Sequence, residues 1–316
     1  MRLGIAALSF LVLTALPGAA AQVPMPLPRP AVTEATPAKA VPPEQAAAKD
    51  KKPAKELFGR ITSAAPMVAR SIGFYSRGCL AGATALPVDG PTWQVMRLSR
   101  NRNWGHPDLI ALLERLSAKA PQVANWPGIL VGDLAQPRGG PMLTGHASHQ
   151  LGLDADVWLT PMPSRTLSRG ERETMSATMI VRSDRRDVDE KVWTPGHLQM
   201  IKAAAEEPTV ERIFVNAAIK KALCREAGDD RKWLEKVRPY WGHDYHMHIR
   251  IRCPKDSPDC KPQDPTADGD GCGKELDYWF RDSILHPPPP KTPPKPKPPL
   301  TMADLPDACR QVLIAR

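Results

Sequence analysis

Aromatic side chains are scarce in this 316-residue chain, at 5% of its composition, and no stretch has a nucleic-acid-binding signature. Nucleic acid therefore ranks last among its partners, despite a formal charge of +9. No CxxC pair occurs, which argues against a cysteine-based metal site. Neither HExxH nor HxxEH is present, so the thermolysin-type arrangement is excluded. Beyond the first residues, no apolar run is long enough to span a bilayer. Helices and strands do not alternate in a βαβ rhythm, and there is no internal repeat. An α+β fold with an antiparallel sheet suits this pattern better than a doubly wound one.

What is present begins with an export signal, read over residues 1–21. Arg2 supplies the charge, Leu3 to Leu16 the apolar stretch, and Ala19-Ala20-Ala21 the small-residue cleavage site before Gln22. An uncleaved anchor is the second reading, but the stretch is short for a span. The mature protein is thus expected to be soluble, in an exported compartment and without stable membrane insertion. Six cysteines in an exported chain read as three disulfides, among about 15 possible pairings. Cys253 and Cys260 form the natural local pair, and Cys309 is expected to tie the C-terminal tail to the body. The positive charge suits an anionic cell-wall polymer or a membrane surface, although simple solubility accounts for it equally well.

Residues 22–54 are rich in Pro, Ala and Lys and read as an extended linker. Residues 286–300 are nearly all Pro and Lys and favour polyproline II, leading to a tail over 301–316. Between them, residues 55–285 suffice for one well-filled core. Pro107 to Ala120 reads as a helix, with Leu109, Leu112, Leu113 and Leu116 on one face. Gly128 to Gly132 is a buried strand. Thr194 caps a helix that runs through Glu206 behind Pro195. Arg212 to Val215 is a strand, and a helix follows from Ala217 to Ala227, stopped by Gly228.

Five of the eight histidines fall in two short segments, Gly145 to Trp158 and Trp241 to Arg250. The second alternates: Tyr245, Met247, Ile249 and Ile251 are apolar, and His246, His248, Arg250 and Arg252 are polar. Period two means a strand with one face in the core and one face open to chemistry. Leu153, Ala155 and Val157 alternate in the same way against Asp154 and Asp156. A hydrolytic zinc site needs about three protein ligands and one open position. His149, Asp156 and His248 are candidates, and His146 is either a fourth ligand or a lining group. His246 and His248, about 7 Å apart along one face, allow one to ligate while the other reaches water or substrate. Taken singly, each histidine would read as a satisfied structural residue. Five of them with two aspartates on matching faces favour a metal site. Ser148 beside His149 and Asp154 has the side chains of a triad, but neither GxSxG nor SxxK surrounds it.

The segment GHASHQLGLDADVWL (145–159) followed by HxxHMHIRIRCP (243–254) resembles the bacterial penicillin-insensitive murein endopeptidase family, with its small LAS-type metallopeptidase core. Ser71-Ile72-Gly73, Gly78-Cys79, Gly105 to Leu109, Ile213 to Lys220 and Gly269 to Gly273 share the likeness, which covers about Phe58 to Phe280. The resemblance implies a periplasmic zinc enzyme that cuts D-alanyl–meso-diaminopimelyl cross-links in peptidoglycan. His149, Asp156 and His248 would bind Zn2+, with His146 close to the metal. His246 would act as base or charge stabiliser, with His243 beside it, and Asp154 or Gln150 would orient ligands. It also implies the pairings Cys79–Cys309, Cys224–Cys272 and Cys253–Cys260. His106 and His197, each at a helix start, are expected to be structural. Two features depart from the family. Asp187 stands where a histidine of a peripheral zinc position near Asp184 is expected, and the linker after the signal is long. A D,D- or L,D-carboxypeptidase and a non-catalytic wall-binding protein are the alternative functions.

Overall fold

The structure is a computed structural model that describes residues 52–290, 292 and 297–316. The expected signal and nearly all of the expected linker lie outside the described residues. The centre is a six-stranded sheet in the order β4-β6-β7-β10-β8-β9. Two short antiparallel pairs stand beside it, β1 (Arg70–Phe74) with β2 (Arg77–Ala81) and β3 (Thr84–Ala85) with β5 (Trp104–Gly105). In the main sheet, β4 is Trp93–Val95, β6 Ile129–Val131, β7 Asp154–Trp158, β8 Val210–Val215, β9 Val237–Pro239 and β10 His246–Ile251. The three inner pairings are antiparallel, as expected, and the two outer ones, β4 with β6 and β8 with β9, are parallel. The architecture is α+β with a mixed sheet. The outer strands β4 and β9 escaped sequence reading because, unlike β6 between Gly128 and Gly132, these three-residue strands have no flanking signal.

The helices form where the sequence places them. Pro107–Val123 runs one turn past the expected end, through Pro121. His106 opens it: its Nδ1 accepts the Asp108 N–H at 3.2 Å. Pro195–Glu206 starts behind Thr194, whose N–H donates to His197 Nδ1 at 3.0 Å, while His197 Nε2 donates to the Leu159 carbonyl at 2.9 Å. Both histidines are therefore structural. Ala217–Glu226 is capped by Asn216, whose side chain accepts the Ala218 N–H.

Both helices of the pair Pro107–Val123 and Pro195–Glu206 pack leucines and alanines into the main core. There they join Ala155 and Val157 of β7 and Met247, Ile249 and Ile251 of β10. Each fully buried aliphatic side chain contributes roughly 1.5–3 kcal/mol. The alternation of the two strands holds, but the polar face is not open. Every residue of β7 and β10 is buried, with His246 at 9% and His248 at 6% exposure. Flanking loops cover that face and leave clefts that reach it, which a period-two pattern cannot foresee.

A second, smaller core joins helix Ala54–Phe58 and the first hairpin to the C-terminal tail. Ala54 and Phe58 of helix Ala54–Phe58 pack against Ile72, Cys79 and Ala81 of the hairpin and against Met302, Leu305 and Val312 of the tail. Cys79–Cys309 closes this unit across 230 residues, and Cys224–Cys272 and Cys253–Cys260 complete the expected pairings. No helix among the described residues is long and apolar enough to cross a membrane.

Candidate metal centre

Strand register assembles the site. In the antiparallel ladder, His248 of β10 stands opposite Asp156 of β7, Arg250 opposite Asp154, and His246 opposite Trp158. Directly opposed residues project to the same face. The two sequence segments thus meet side chain to side chain. His149 and His146 arrive from the loop before β7. That loop turns sharply: His149 itself has φ +65°, and Gly152 has φ +69°. A Cβ at Gly152 would lie 2.4 Å from Leu80 Cδ2 and 2.9 Å from the His106 nitrogen, so only glycine fits. A left-handed non-glycine residue costs energy and is held by its surroundings. Here the anchor is Asp154, whose Oδ2 accepts the His149 backbone N–H at 3.1 Å.

Each of three imidazoles has one nitrogen committed to an oxygen that only accepts. His149 Nδ1 donates to the Leu134 carbonyl at 3.1 Å, His248 Nε2 to Asp154 Oδ1 at 2.8 Å, and His146 Nε2 to Asp133 Oδ2 at 3.0 Å. The other nitrogen of each is left as a lone pair, and all three lone pairs face Asp156. His149 Nε2 lies 3.4 Å and His248 Nδ1 3.5 Å from Oδ1, and His146 Nδ1 lies 3.5 Å from Oδ2. His149 Nε2 and Asp156 Oδ1 are buried without a hydrogen-bond partner. Opposed lone pairs in a dry interior are costly unless a cation or a proton sits between them. Nitrogen and carboxylate donors, each braced from behind, are the composition that suits a divalent metal.

Among the described residues, one group of three possible donors converges within 4.8 Å: His146, His149 and Asp156. His248 stands just outside that trio, its ring centre 4.6 Å from that of His149. His246 reaches the same carboxylate, Nε2 to Asp156 Oδ1 at 3.6 Å, and its Nδ1 has no partner. His243, at φ +59°, donates Nδ1 to the Trp241 carbonyl at 2.8 Å and packs its ring 4.8 Å from that of His246. All six candidate residues are therefore brought together. Gln150 is placed differently. It holds the loop by donating to the Ser76 and Ala147 carbonyls and accepting from Gly78, and none of these bonds touches a candidate ligand. Near Asp184, the carboxylates are engaged by cations instead, Asp184 with Arg182 and Asp187 with Lys221 and Arg225.

The electrostatics follow from burial and from this pairing. Burial pushes His246 and His248 down to about 4, against the pull of Asp156 on the first and of Asp154 on the second. Burial also lowers His243. Burial opposes a charge on His149 and on Asp156, but their mutual attraction wins, raising the imidazole and holding the carboxyl well below its usual range.

Asp133, absent from the sequence reading, is central. Arg100, Arg102 and His146 all bond its Oδ2, at 3.0, 2.8 and 3.0 Å. Despite its burial, His146 and Arg102 hold its carboxyl down at about 2. Its one sequence signal is a charged residue just after the buried strand β6.

Two clefts flank the cluster, with His146 lining both. One, of about 300 Å³, is walled by Arg97, Arg100, Trp158, Tyr245 and His246. The other, of about 350 Å³, is walled by Phe74, Phe214, Tyr240, His243 and His248.

A braced histidine–aspartate cluster at the meeting of two clefts, on an α+β sheet, is the build of a metal-dependent hydrolase. The sequence comparisons narrow the class. Residues 71–314 match the model of the family described as penicillin-insensitive murein endopeptidase, and the chain belongs to that family. A penicillin-insensitive murein endopeptidase of Haemophilus influenzae is 47% identical over 250 residues, covering 78% of this chain and 82% of that protein. Proteins of the same name from Klebsiella pneumoniae and Yersinia enterocolitica are each 46% identical. The aligned regions cover 78% and 74% of this chain and 86% and 84% of those proteins. The match reaches past the expected Phe280 to take in the tail that carries Cys309.

Proposed function

We propose that this protein is a zinc metallo-endopeptidase that hydrolyses D-alanyl–meso-diaminopimelyl cross-links of peptidoglycan in the periplasm, with residues 1–21 as its export signal. The observation that carries the reading is the buried pair of opposed lone pairs, His149 Nε2 and Asp156 Oδ1 at 3.4 Å, neither with a partner. A cation between them removes the conflict. His149, Asp156 and His248 would hold it. His146 is the fourth donor, and at 24% side-chain exposure it is the most accessible of the set and the one placed to yield to substrate.

The chemistry zinc supplies when bound is Lewis acidity, which makes water a nucleophile at neutral pH. The chain's own residues do the rest. Asp154 fixes three of the parts at once, bonding the His149 backbone, the His248 ring and Arg250 Nε. Burial disfavours a charge on His246, whose ring borders the first cleft, so it is placed to take a proton from the attacking water and return it to the leaving amine. His243 backs the His246 ring, and with Nδ1 committed to Trp241 it keeps Nε2 to meet the substrate. No serine is acylated in this scheme, so penicillin has nothing to trap.

Cleavage within a cross-link requires room on both sides of the scissile bond, and a cleft opens on each side of the cluster. Trimming a terminal residue needs only one. The test is digestion of purified cross-linked muropeptide dimers and of monomeric pentapeptides, with products identified by mass. Conversion of dimers to monomers, abolished by a chelator and restored by zinc, is expected. Loss of terminal D-Ala alone would assign the protein as a carboxypeptidase, and no turnover of either substrate would overturn the enzymatic reading.

A further inference from the structure

Surface aromatics are concentrated in one region of this aromatic-poor chain. Among the described residues the exposed aromatic side chains are Tyr240, Trp241, Tyr245 and Tyr278, at 54, 45, 37 and 46% exposure. Tyr245 belongs to the first cleft, beside His246. The other three gather with Trp279 into one patch. Trp241 meets Trp279 edge-on at 5.7 Å between ring centres, and Tyr278 meets Trp279 at 6.1 Å. Tyr240 links the patch to the active site: it walls the second cleft with His243 and His248 and also borders the small hollow formed with Trp241 and Trp279.

Exposed aromatic rings of this density are costly unless something covers them. Two features say what does. The patch is continuous with the cleft where the peptide would lie, so its occupant is joined to that peptide. The rings also stand among guanidinium groups, Arg185 at 5.4 Å from Trp241 and Arg281 at 5.4 Å from Tyr278. Apolar rings close to guanidinium hydrogen-bond donors match a pyranose, with its C–H face and its rim of hydroxyls. We propose that Tyr240, Trp241, Tyr278 and Trp279 form a saccharide-binding platform that seats the glycan strand of the murein while the attached peptide enters the second cleft. This rests on the murein reading above.

The test separates the two claims. Peptide-free glycan strands, stripped of stems by an amidase, are titrated against the intact protein by tryptophan fluorescence. The Tyr278→Ala/Trp279→Ala variant, whose side chains line neither cleft, is compared with wild type on whole sacculi and on a sugar-free cross-linked peptide dimer. Wild type should bind the strands, and the variant should bind them about tenfold more weakly, as expected for the loss of two stacking rings. The variant should show a similar rise in KM on sacculi and unchanged kinetics on the sugar-free dimer. Trp279→Phe, which keeps a ring, should restore most of the binding. Absence of strand binding by wild type, or equal slowing on both substrates, would overturn the platform. Failure of wild type to cut the sugar-free dimer would count against the endopeptidase and leave the strand titration to be read by itself.

Discussion

The sheet-borne cluster and the cap formed by helix Ala54–Phe58 with the tail are built on opposite principles. The cap satisfies its polar groups. Arg138 reaches across it to donate to the Val312, Leu313 and Ser63 carbonyls, and the Ala54 N–H meets the Leu300 carbonyl at 2.7 Å. The cluster leaves groups unsatisfied. Of the six buried side-chain polar atoms without a partner among the described residues, three belong to His149, Asp156 and His246, and none to the cap. One region uses its contacts to hold the tail to the body, and the other keeps lone pairs available for a ligand. Stability and function should therefore come apart under mutation.

The largest effect should fall on the cap. Replacing Cys79 and Cys309 by serine frees a loop closed across 230 residues and should cost on the order of 5 kcal/mol in denaturant unfolding. Turnover per folded molecule at low temperature should be unchanged. A loss below about 1 kcal/mol would mean that apolar packing alone holds the cap.

The converse is Asp156→Asn. It should lower cleavage roughly a thousandfold, since the several kcal/mol that a metal contributes to the transition state is lost. Metal content measured by atomic absorption should fall with it. The thermal midpoint in chelator should stay close to that of chelated wild type, because the lost attraction to His149 is offset by the lost cost of burying the charge. A chelated midpoint many degrees lower would make Asp156 a structural residue and erase the contrast.

A smaller loss is expected for Asp154→Asn. Its carboxylate touches no lone pair of the cluster but orients His149, His248 and Arg250. Competition against a chelator should show metal held about 10–100-fold more weakly. Asp133→Asn should act less still, within about tenfold, because among the candidate donors its carboxylate braces His146 alone, the most exposed of them. An effect of Asp133→Asn larger than that of Asp154→Asn would reverse the ranking of the two supports.

Much of the site was legible because β7 and β10 are regular. Period two placed Asp154 and Asp156 on one face and His246, His248 and Arg250 on another, and antiparallel pairing needs only a register to merge them. Asp133 was not legible. It belongs to no motif, and its partners Arg100, Arg102 and His146 come from two segments that no local pattern connects. The parallel outer strands were hidden by their length, and the covering of the polar face by loops that carry no period. Cys253–Cys260 follows from proximity in the chain, whereas Cys79–Cys309 followed only from family likeness and from the oddity of a cysteine in a tail.

By itself, the sequence determined the donor types, their alternation on two strands and the family, because local periodicity and motif are written in consecutive residues. Tertiary structure alone decided which nitrogen of each histidine is spent on a carbonyl or carboxylate, and that the remaining lone pairs converge on Asp156. It also decided that the exposed tyrosines and tryptophans lie together beside the cleft. Those facts depend on distances between segments up to about a hundred residues apart, and only packing of the whole chain sets such distances.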